Sequence, residues 1–314
     1  MKQGACFEIL TSLATSGGSI VILESQNKLG EKMDFQCFKL IQDNGVAHLE
    51  LSRPEKRNSM IPEFWKELPA LVRKLDSEGE TRVLLISSQG KHFCSGMDLS
   101  VFSDPSLQDK SLEIGRQREK FRHFVEGLQD AFTALEQARF PVLCAVQGAC
   151  IGGALDLLAA SDCVYCSEDA YFTIAETNIG LVADLGTLQR LPHMIPLGVL
   201  KEMAYTGRKV DAQEAKRIGL VNNVYENANA LVEGVLEIAR SIAGHSPLVV
   251  SGCKEMINYS RDHSVADSLR FMSTWQAAMF HGSDMMEAFG AKAKKEQAQF
   301  QSNAVKKDIF QGDS

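Results

Sequence analysis

The order of apolar and polar residues becomes regular only from about residue 35. Residues 46–51, Val-Ala-His-Leu-Glu-Leu, alternate as a half-buried strand does. Residues 62–75 repeat at helical spacing, with Phe64, Leu68, Leu71, Val72 and Leu75 on one face. Pro62 then falls in the first turn, where a missing N–H does no harm. Residues 82–87 form a continuous apolar run, the signature of a strand covered on both faces. A glycine-containing loop follows, then a long helical stretch over residues 112–138. Residues 142–146 read as the next buried strand, a helix opens at Gly152, and residues 162–166 read as another strand. From residue 212 onward the pattern is helical: 212–218, 228–243, 247–259 and 264–280. Strands that alternate with helices predict an α/β fold with helices covering a sheet, closed by a helical C-terminal region.

Three acidic residues interrupt the most apolar part of this pattern. Asp156 lies in Gly152-Gly153-Ala154-Leu155-Asp156-Leu157-Leu158, Glu176 in Phe172-Thr173-Ile174-Ala175-Glu176-Thr177, and Asp184 in Gly180-Leu181-Val182-Ala183-Asp184-Leu185-Gly186. An unpartnered buried carboxylate costs several kcal/mol or keeps its proton. Three in so short a span point to a charge network or to acids and bases tuned for proton transfer, and proton transfer is the reading adopted. Each residue also has a plainer reading. Asp156 sits where a first-turn acid would offset a helix dipole. Glu176 and Asp184 could each be a surface loop acid, since their spacing puts them on no common face.

The chain has 314 residues, 45% hydrophobic and 23% charged, enough for a sizeable core. A formal charge of −7 argues against nucleic acid or an anionic membrane as partner. No apolar run approaches the roughly 20 residues that span a bilayer. The eight cysteines show no framework spacing, so reduced thiols are expected. Cys163 and Cys166 have CxxC spacing without a second pair and read as core, so no metal site is expected. His92, His123 and His193 lack a paired carboxylate at motif spacing and read as surface or satisfied side chains. Residues 1–33 fit neither a transit peptide nor a secretory signal. The ending Gln311-Gly312-Asp313-Ser314 is not a peroxisomal address. Cytoplasm is the default compartment, or the mitochondrial matrix in a eukaryote.

Two glycine-rich segments look built to offer backbone N–H groups. One is Gly90-Lys91-His92-Phe93-Cys94-Ser95-Gly96-Met97-Asp98, after the strand near 83–87. The other is Gln147-Gly148-Ala149-Cys150-Ile151-Gly152-Gly153, after the strand at 142–146. A strand-to-helix junction leaves N–H donors free for an anion or a developing oxyanion. Neither segment matches the dinucleotide or Walker pattern.

Together these residues resemble the enoyl-CoA hydratase/isomerase (crotonase) superfamily over about residues 35–300. The matching stretches are Ser95-Gly96-Met97-Asp98-Leu99, residues 147–157, residues 186–192, residues 205–208 and residues 212–221. Arg53-Pro54-Glu55-Lys56-Arg57-Asn58-Ser59 resembles the superfamily's CoA-binding turn. Asp156, Glu176 and Asp184, in the Asp/Glu/Asp pattern, are similar to those of the Δ3,5-Δ2,4-dienoyl-CoA isomerases, as are residues 180–192 and 261–269.

The resemblance implies a crotonase spiral of strand-strand-helix units over residues 34–230. Helices at 231–300 would build a homohexamer or homotrimer, between an unassigned extension (1–33) and a tail (301–314). It implies an oxyanion hole made by the N–H groups of Met97 and Gly153. Acyl-CoA contacts are implied for Lys56, Arg57, Ser59, Ser95, Gly96, Met97, Asp98, Leu99 and Gly153. Glu176 and Asp184 would be the proton-transfer pair, with Asp156 orienting or electrostatically supporting them. No cofactor is implied beyond the CoA that the substrate carries.

Two other functions fit parts of the pattern. A hydratase or Δ3-Δ2-enoyl-CoA isomerase would use Glu176 with another partner, which Asp184 argues against. A non-enzymatic RNA-binding or scaffolding member of the fold is opposed by the acidic net charge and the intact acidic triad.

Overall fold

The structure is a computed structural model that describes residues 35–98, 100–101, 111–280 and 282–306. The expected N-terminal extension, Leu99 and most of the tail lie outside the described residues.

A hairpin opens the fold: β1 (Phe38–Asp43) pairs antiparallel with β2 (Val46–Leu51), closing at Asp43 and Val46. Asn44 and Gly45 both have positive φ, +48° and +81°, as a two-residue turn matched to strand twist requires. β3 (Val83–Ser88), β4 (Val142–Val146), β6 (Cys163–Ser167) and β9 (Asn223–Tyr225) then extend the sheet in parallel, in the order β1-β2-β3-β4-β6-β9. A second sheet joins β5 (Ala149–Ile151), β7 (Tyr171–Thr173) and β8 (Val210–Asp211) in the order β5-β7-β8. The shorter strands β5, β7, β8 and β9 carry two or three residues each, too few for a period to show in the sequence.

The continuous apolar run of β3 is explained by two cores. Alternate side chains of a strand point to opposite faces. Leu84 and Ile86 enter the larger core, with Phe64, Leu68, Phe132 and Leu155. Val83 and Leu85 enter a smaller one, where α7 (Ala228–Ala243) lays Leu231, Val235 and Ala239 against Leu143 and Ala145. The boundary expected between residues 230 and 231 thus runs through a helix packed on the sheet. The Cys163 and Cys166 side chains, three apart on β6, leave opposite faces of the strand and cannot share a ligand.

The helical reading holds with shifted ends. α1 is Phe64–Glu78 with Glu63 as its N-cap, so Pro62 stands ahead of the helix and not in its first turn. α2 is Ile114–Gln137. Of the short helices α3 (Gly153–Ala159), α4 (Thr187–Arg190), α5 (Leu197–Thr206) and α6 (Ala212–Ile218), α3 and α6 pack on the second sheet and α4 packs on α3. The C-terminal region holds α8 (Pro247–Tyr259), α9 (Val265–Met279) and α10 (Gly282–Lys294).

One buried cation ties that region to the core. Lys254 on α8 donates to the carbonyls of Leu135 (2.8 Å) and Phe140 (3.0 Å) and pairs with Asp162 Oδ2 at 2.8 Å. Asp162 Oδ2 also caps the Val142 N–H at 2.7 Å. Removing the ammonium leaves two carbonyls and a partly exposed carboxylate without their cation. Lys254→Met should therefore lower unfolding stability by about 1–3 kcal/mol, read from the midpoint of a chemical denaturation curve.

Candidate active site

The site lies past the C-terminal ends of β3 and β4, the usual ligand crevice of a parallel sheet. The loop after β3 is held by a bridge in which Met60 N donates to Gly96 O (2.9 Å) and Asp98 N donates to Met60 O (3.0 Å). Along an extended segment successive N–H groups face opposite ways. With the Gly96 carbonyl and Asp98 N–H turned to Met60, the Met97 N–H faces the other side. There it meets the start of α3. A Cβ on Gly153 would lie 3.7 Å from Met97 N, and a Cβ on Gly96 would lie 3.5 Å from Gly153 N and 2.6 Å from Ile151 O. Gly96, at φ +89°, is required both for its dihedral and for this approach. The structure thus brings Met97 N and Gly153 N close to one another.

How the donors are presented differs from the sequence expectation. The Met97 N–H comes from an extended strand-like segment bridged to Met60, and Asp98 accepts from Ser100 N and Val101 N at the start of a short 3-10 turn. The second segment contains β5 before α3 begins. α3 spans only seven residues, so the free first-turn N–H, more than a macrodipole, is what Gly153 contributes.

The CoA-type turn packs directly on this loop. Ser95 N donates to Arg57 O at 3.0 Å, and Ser59 Oγ donates to Asp98 Oδ2 at 2.9 Å. Arg57 and Asn58 adopt left-handed φ of +51° and +53°, leaving the Lys56 and Arg57 side chains exposed. Ser59 and Asp98 hold one another. The hydrogen bonds from Ser59 and from Ser100 N keep the Asp98 carboxyl below its ordinary range. Three residues missed in the sequence lock the arrangement. Asn58 Nδ2 donates to Gln89 O and His92 O, Cys94 Sγ donates to Asn58 O and accepts from Gly96 N, and Met60 supplies the bridge. Only Asn58 gave a signal, as part of the matched turn. His92 is a satisfied histidine whose Nδ1 accepts from Ala149 N at 3.2 Å.

The three acids gather beyond the donors. Asp156 is 1% exposed and accepts from the Thr187 N–H at 2.7 Å, across to α4 and not within its own helix. Asp156 does stand in the first turn of α3, but its hydrogen-bond partner lies across the site. Burial, only partly offset by Thr187 and reinforced by the charges of Glu176 and Asp184, pushes its carboxyl up to about 7. Glu176 stands against Gly152: a Cβ there would sit 3.0 Å from Glu176 Oε1, while Oε2 is buried without a hydrogen-bond partner among the described residues. Gly152, at φ +55°, leaves that space open. Burial and then the Asp184 charge raise the Glu176 carboxyl. Asp184 is exposed in the single chain, yet partial burial raises its carboxyl as well. Burial thus makes each of the three harder to ionise than an ordinary carboxyl, and charge on Asp184 makes Glu176 and Asp156 harder still.

Known proteins place this geometry in a class. The enoyl-CoA hydratase/isomerase family model matches residues 42–303, and the chain belongs to that family. Among solved structures, an enoyl-CoA hydratase from Bacillus anthracis superposes with a TM-score of 0.76 at 28% identity, covering 85% of this chain and all of that one. A putative enoyl-CoA hydratase from Streptomyces coelicolor gives 0.78 at 26%, covering 88% and 98%. The crotonase α/β fold expected from the motifs is the fold of the chain. More narrowly, the chain is 42% identical to the peroxisomal Delta(3,5)-Delta(2,4)-dienoyl-CoA isomerase of Arabidopsis thaliana, over 82% of this chain and 93% of that protein. It is 36% identical to the mitochondrial Delta(3,5)-Delta(2,4)-dienoyl-CoA isomerase of Homo sapiens, over 91% and 88%.

The raised Asp156 carboxyl has a consequence for stability. The unfolded chain releases that proton near pH 4, the folded chain near 7. Between those values the folded state binds more protons, so this group lowers stability as pH rises from about 4 to 7. Asp156→Asn keeps an acceptor for Thr187 and removes the penalty. The variant should gain stability over wild type, by up to a few kcal/mol, on going from pH 5 to pH 8. The check is a pair of thermal unfolding series; a difference that stays flat with pH contradicts the burial argument.

Proposed function

We propose that this protein converts 3,5-dienoyl-CoA to 2,4-dienoyl-CoA in the β-oxidation of unsaturated fatty acids, with Glu176 and Asp184 as the proton-transfer pair. One observation carries the assignment: a half-buried carboxyl, Glu176, with one buried oxygen left unpartnered, stands against Gly152, next to the Gly153 donor, with a second raised carboxyl, Asp184, in its field. The dienoyl-CoA isomerases of Arabidopsis thaliana and Homo sapiens support the same substrate class.

The reaction removes a proton from C2 and delivers one to C6. The electron pair left at C2 spreads over the thioester oxygen, C4 and C6. Protonation at C6 then leaves double bonds at C2–C3 and C4–C5. The thioester carbonyl accepts hydrogen bonds from Met97 N and Gly153 N, which stabilise the charge that develops on its oxygen. C2 is one bond from the carbonyl carbon, so its base is the carboxyl nearest the donors, Glu176. C6 lies too far along the chain for the same group, and Asp184 serves it as acid. Asp156, coupled electrostatically to both, orients or supports the pair. Atoms and electrons balance with no redox partner, so the CoA carried by the substrate is the only cofactor required. Lys56, Arg57, Ser59, Ser95 and Gly96 bound the thioester and CoA side of the site.

The assembly we propose is a homohexamer, with a homotrimer as the alternative. Exposed Val265, Leu269, Phe280, Met286 and Phe289 on and beside α9 and α10 support burial against further copies. The relatives' names, peroxisomal and mitochondrial, support an organelle such as the mitochondrial matrix over the cytoplasm. Among the described residues no helix is long and apolar enough to cross a membrane.

Conjugated 2,4-dienoyl-CoA absorbs in the ultraviolet, so its formation from 3,5-octadienoyl-CoA tests the proposal directly. Glu176→Gln and Asp184→Asn should each lose a factor of about 100 or more. Near-normal isomerisation by Asp184→Asn, or wild type hydrating crotonyl-CoA far faster than it isomerises the diene, would transfer the assignment to a hydratase. Light scattering at micromolar concentration should give the mass of three or six chains; a monomer would remove the assembly.

A further inference from the structure

Helix α2 turns one polar face to the acidic loop. Gln129, Thr133 and Glu136 are four and three residues apart, which stacks them on a single side of the helix. Gln129 Nε2 donates to the backbone carbonyl of Asp184 at 2.7 Å. Glu136 Oε2 accepts from Arg190 Nε at 3.3 Å and from Nη2 at 3.1 Å, and its other oxygen pairs with Arg261. Arg190 Nη2 also reaches Thr133 Oγ1 at 3.3 Å, while Nη1 donates to Leu185 O at 3.3 Å. The guanidinium fills the space over Gly186, where a Cβ would collide with Nη1 and where φ is +129°. With side-chain exposures of 13% and 17%, Arg190 and Glu136 form a pair that salt screens little.

The Leu185–Gly186 turn that this cluster grips lies between two residues of consequence. Asp184 precedes it, and Thr187, whose N–H holds Asp156, follows it. We propose that Arg190, clamped by Glu136, is a positioning residue for the isomerisation: it fixes the Leu185–Gly186 turn and thereby sets Asp184 and Asp156 together. The inference rests on the assignment of those carboxyl groups to the dienoyl-CoA reaction. Arg190 touches no reacting atom. Its effect passes through backbone, and the thioester side of the site, at Met97, Gly153 and the 53–59 turn, is built on other segments.

That separation predicts a split in the kinetics. Arg190→Met should lower kcat on 3,5-octadienoyl-CoA by roughly 10- to 100-fold, the scale of an ångström-level misplacement, with KM changed less than about threefold. Its kcat–pH profile should also move, the acid limb shifting to lower pH, because the Thr187 N–H that favours ionised Asp156 is no longer held in place and a neutral Asp156 leaves Glu176, the base, easier to ionise. Arg190→Lys should fail to restore kcat: an ammonium keeps the charge but cannot reach Glu136, Thr133 and the Leu185 carbonyl at once. A folded Arg190→Met with wild-type kcat overturns the proposal. So does a loss that falls equally on thioester affinity with an unmoved pH profile, because a general loss of structure would produce it. Should Arg190→Met not fold, Gln129→Ala removes one hydrogen bond from the exposed side of the same loop. A lowered kcat at unchanged melting temperature then supports the brace, and an unchanged kcat refutes it. Wild-type protein that leaves the diene untouched refutes the reaction itself; an active wild type with indifferent variants refutes only the brace.

Discussion

The site depends on one electrostatic conflict: three carboxyl groups gather at one corner, exposed at Asp184 and buried at Asp156, and Asp156 is held by the Thr187 backbone N–H. A hydrogen bond to a charged group contributes about 1.5–3 kcal/mol, whereas desolvating a carboxylate costs several. Desolvation wins, which is why Asp156 sits near 7 although Thr187 donates to it at 2.7 Å. The same imbalance raises Glu176 and Asp184. Groups that resist ionising together can divide into one that holds a proton and one that takes it, the division that acid–base chemistry at neutral pH needs.

A second constraint is steric. The two donors come close only because Gly96 brings no side chain against the Ile151 carbonyl, and Glu176 stands next to Gly153 only because Gly152 leaves room. A larger residue at either position would separate charge development at the thioester from the base that causes it. The thiol of Cys94, buried and pushed up to about 12, acts here as a neutral hydrogen-bonding group between the CoA-type turn and the Gly96 peptide.

Much of this was legible in the order of residues, and the exceptions have physical causes. The long strands and helices announced themselves because each buries a face over several periods, as the two-sided burial of β3 illustrates. Strands such as β5 and β8 were missed because two or three residues carry no period. The end of α1 moved because Pro62 precedes the capping residue Glu63. Within the site, Asp156, Glu176 and Asp184 stood out because charge in an apolar context is costly. Their convergence followed from family resemblance alone, since it depends on α3, a loop and α4 meeting in space. The supporting residues were silent. Gln129, Thr133 and Glu136 read as an ordinary polar helix face, and only the partner they meet gives that face a meaning.

The partner is the reason the acidic loop needs support at all. Asp184 is exposed in the single chain, with no close-packed shell to fix it, and a proton delivered to C6 must come from a fixed point. Loops are fixed either by burial or by hydrogen bonds to rigid elements. Burying Asp184 as deeply as Asp156 would raise its proton affinity until it could no longer give the proton up. Tethering the backbone from behind avoids that penalty: Gln129 holds the Asp184 carbonyl and Arg190 the Leu185 carbonyl, while the carboxyl stays open enough to exchange its proton. The arrangement separates positional order, supplied by a helix face, from proton affinity, set by how much water the carboxyl keeps.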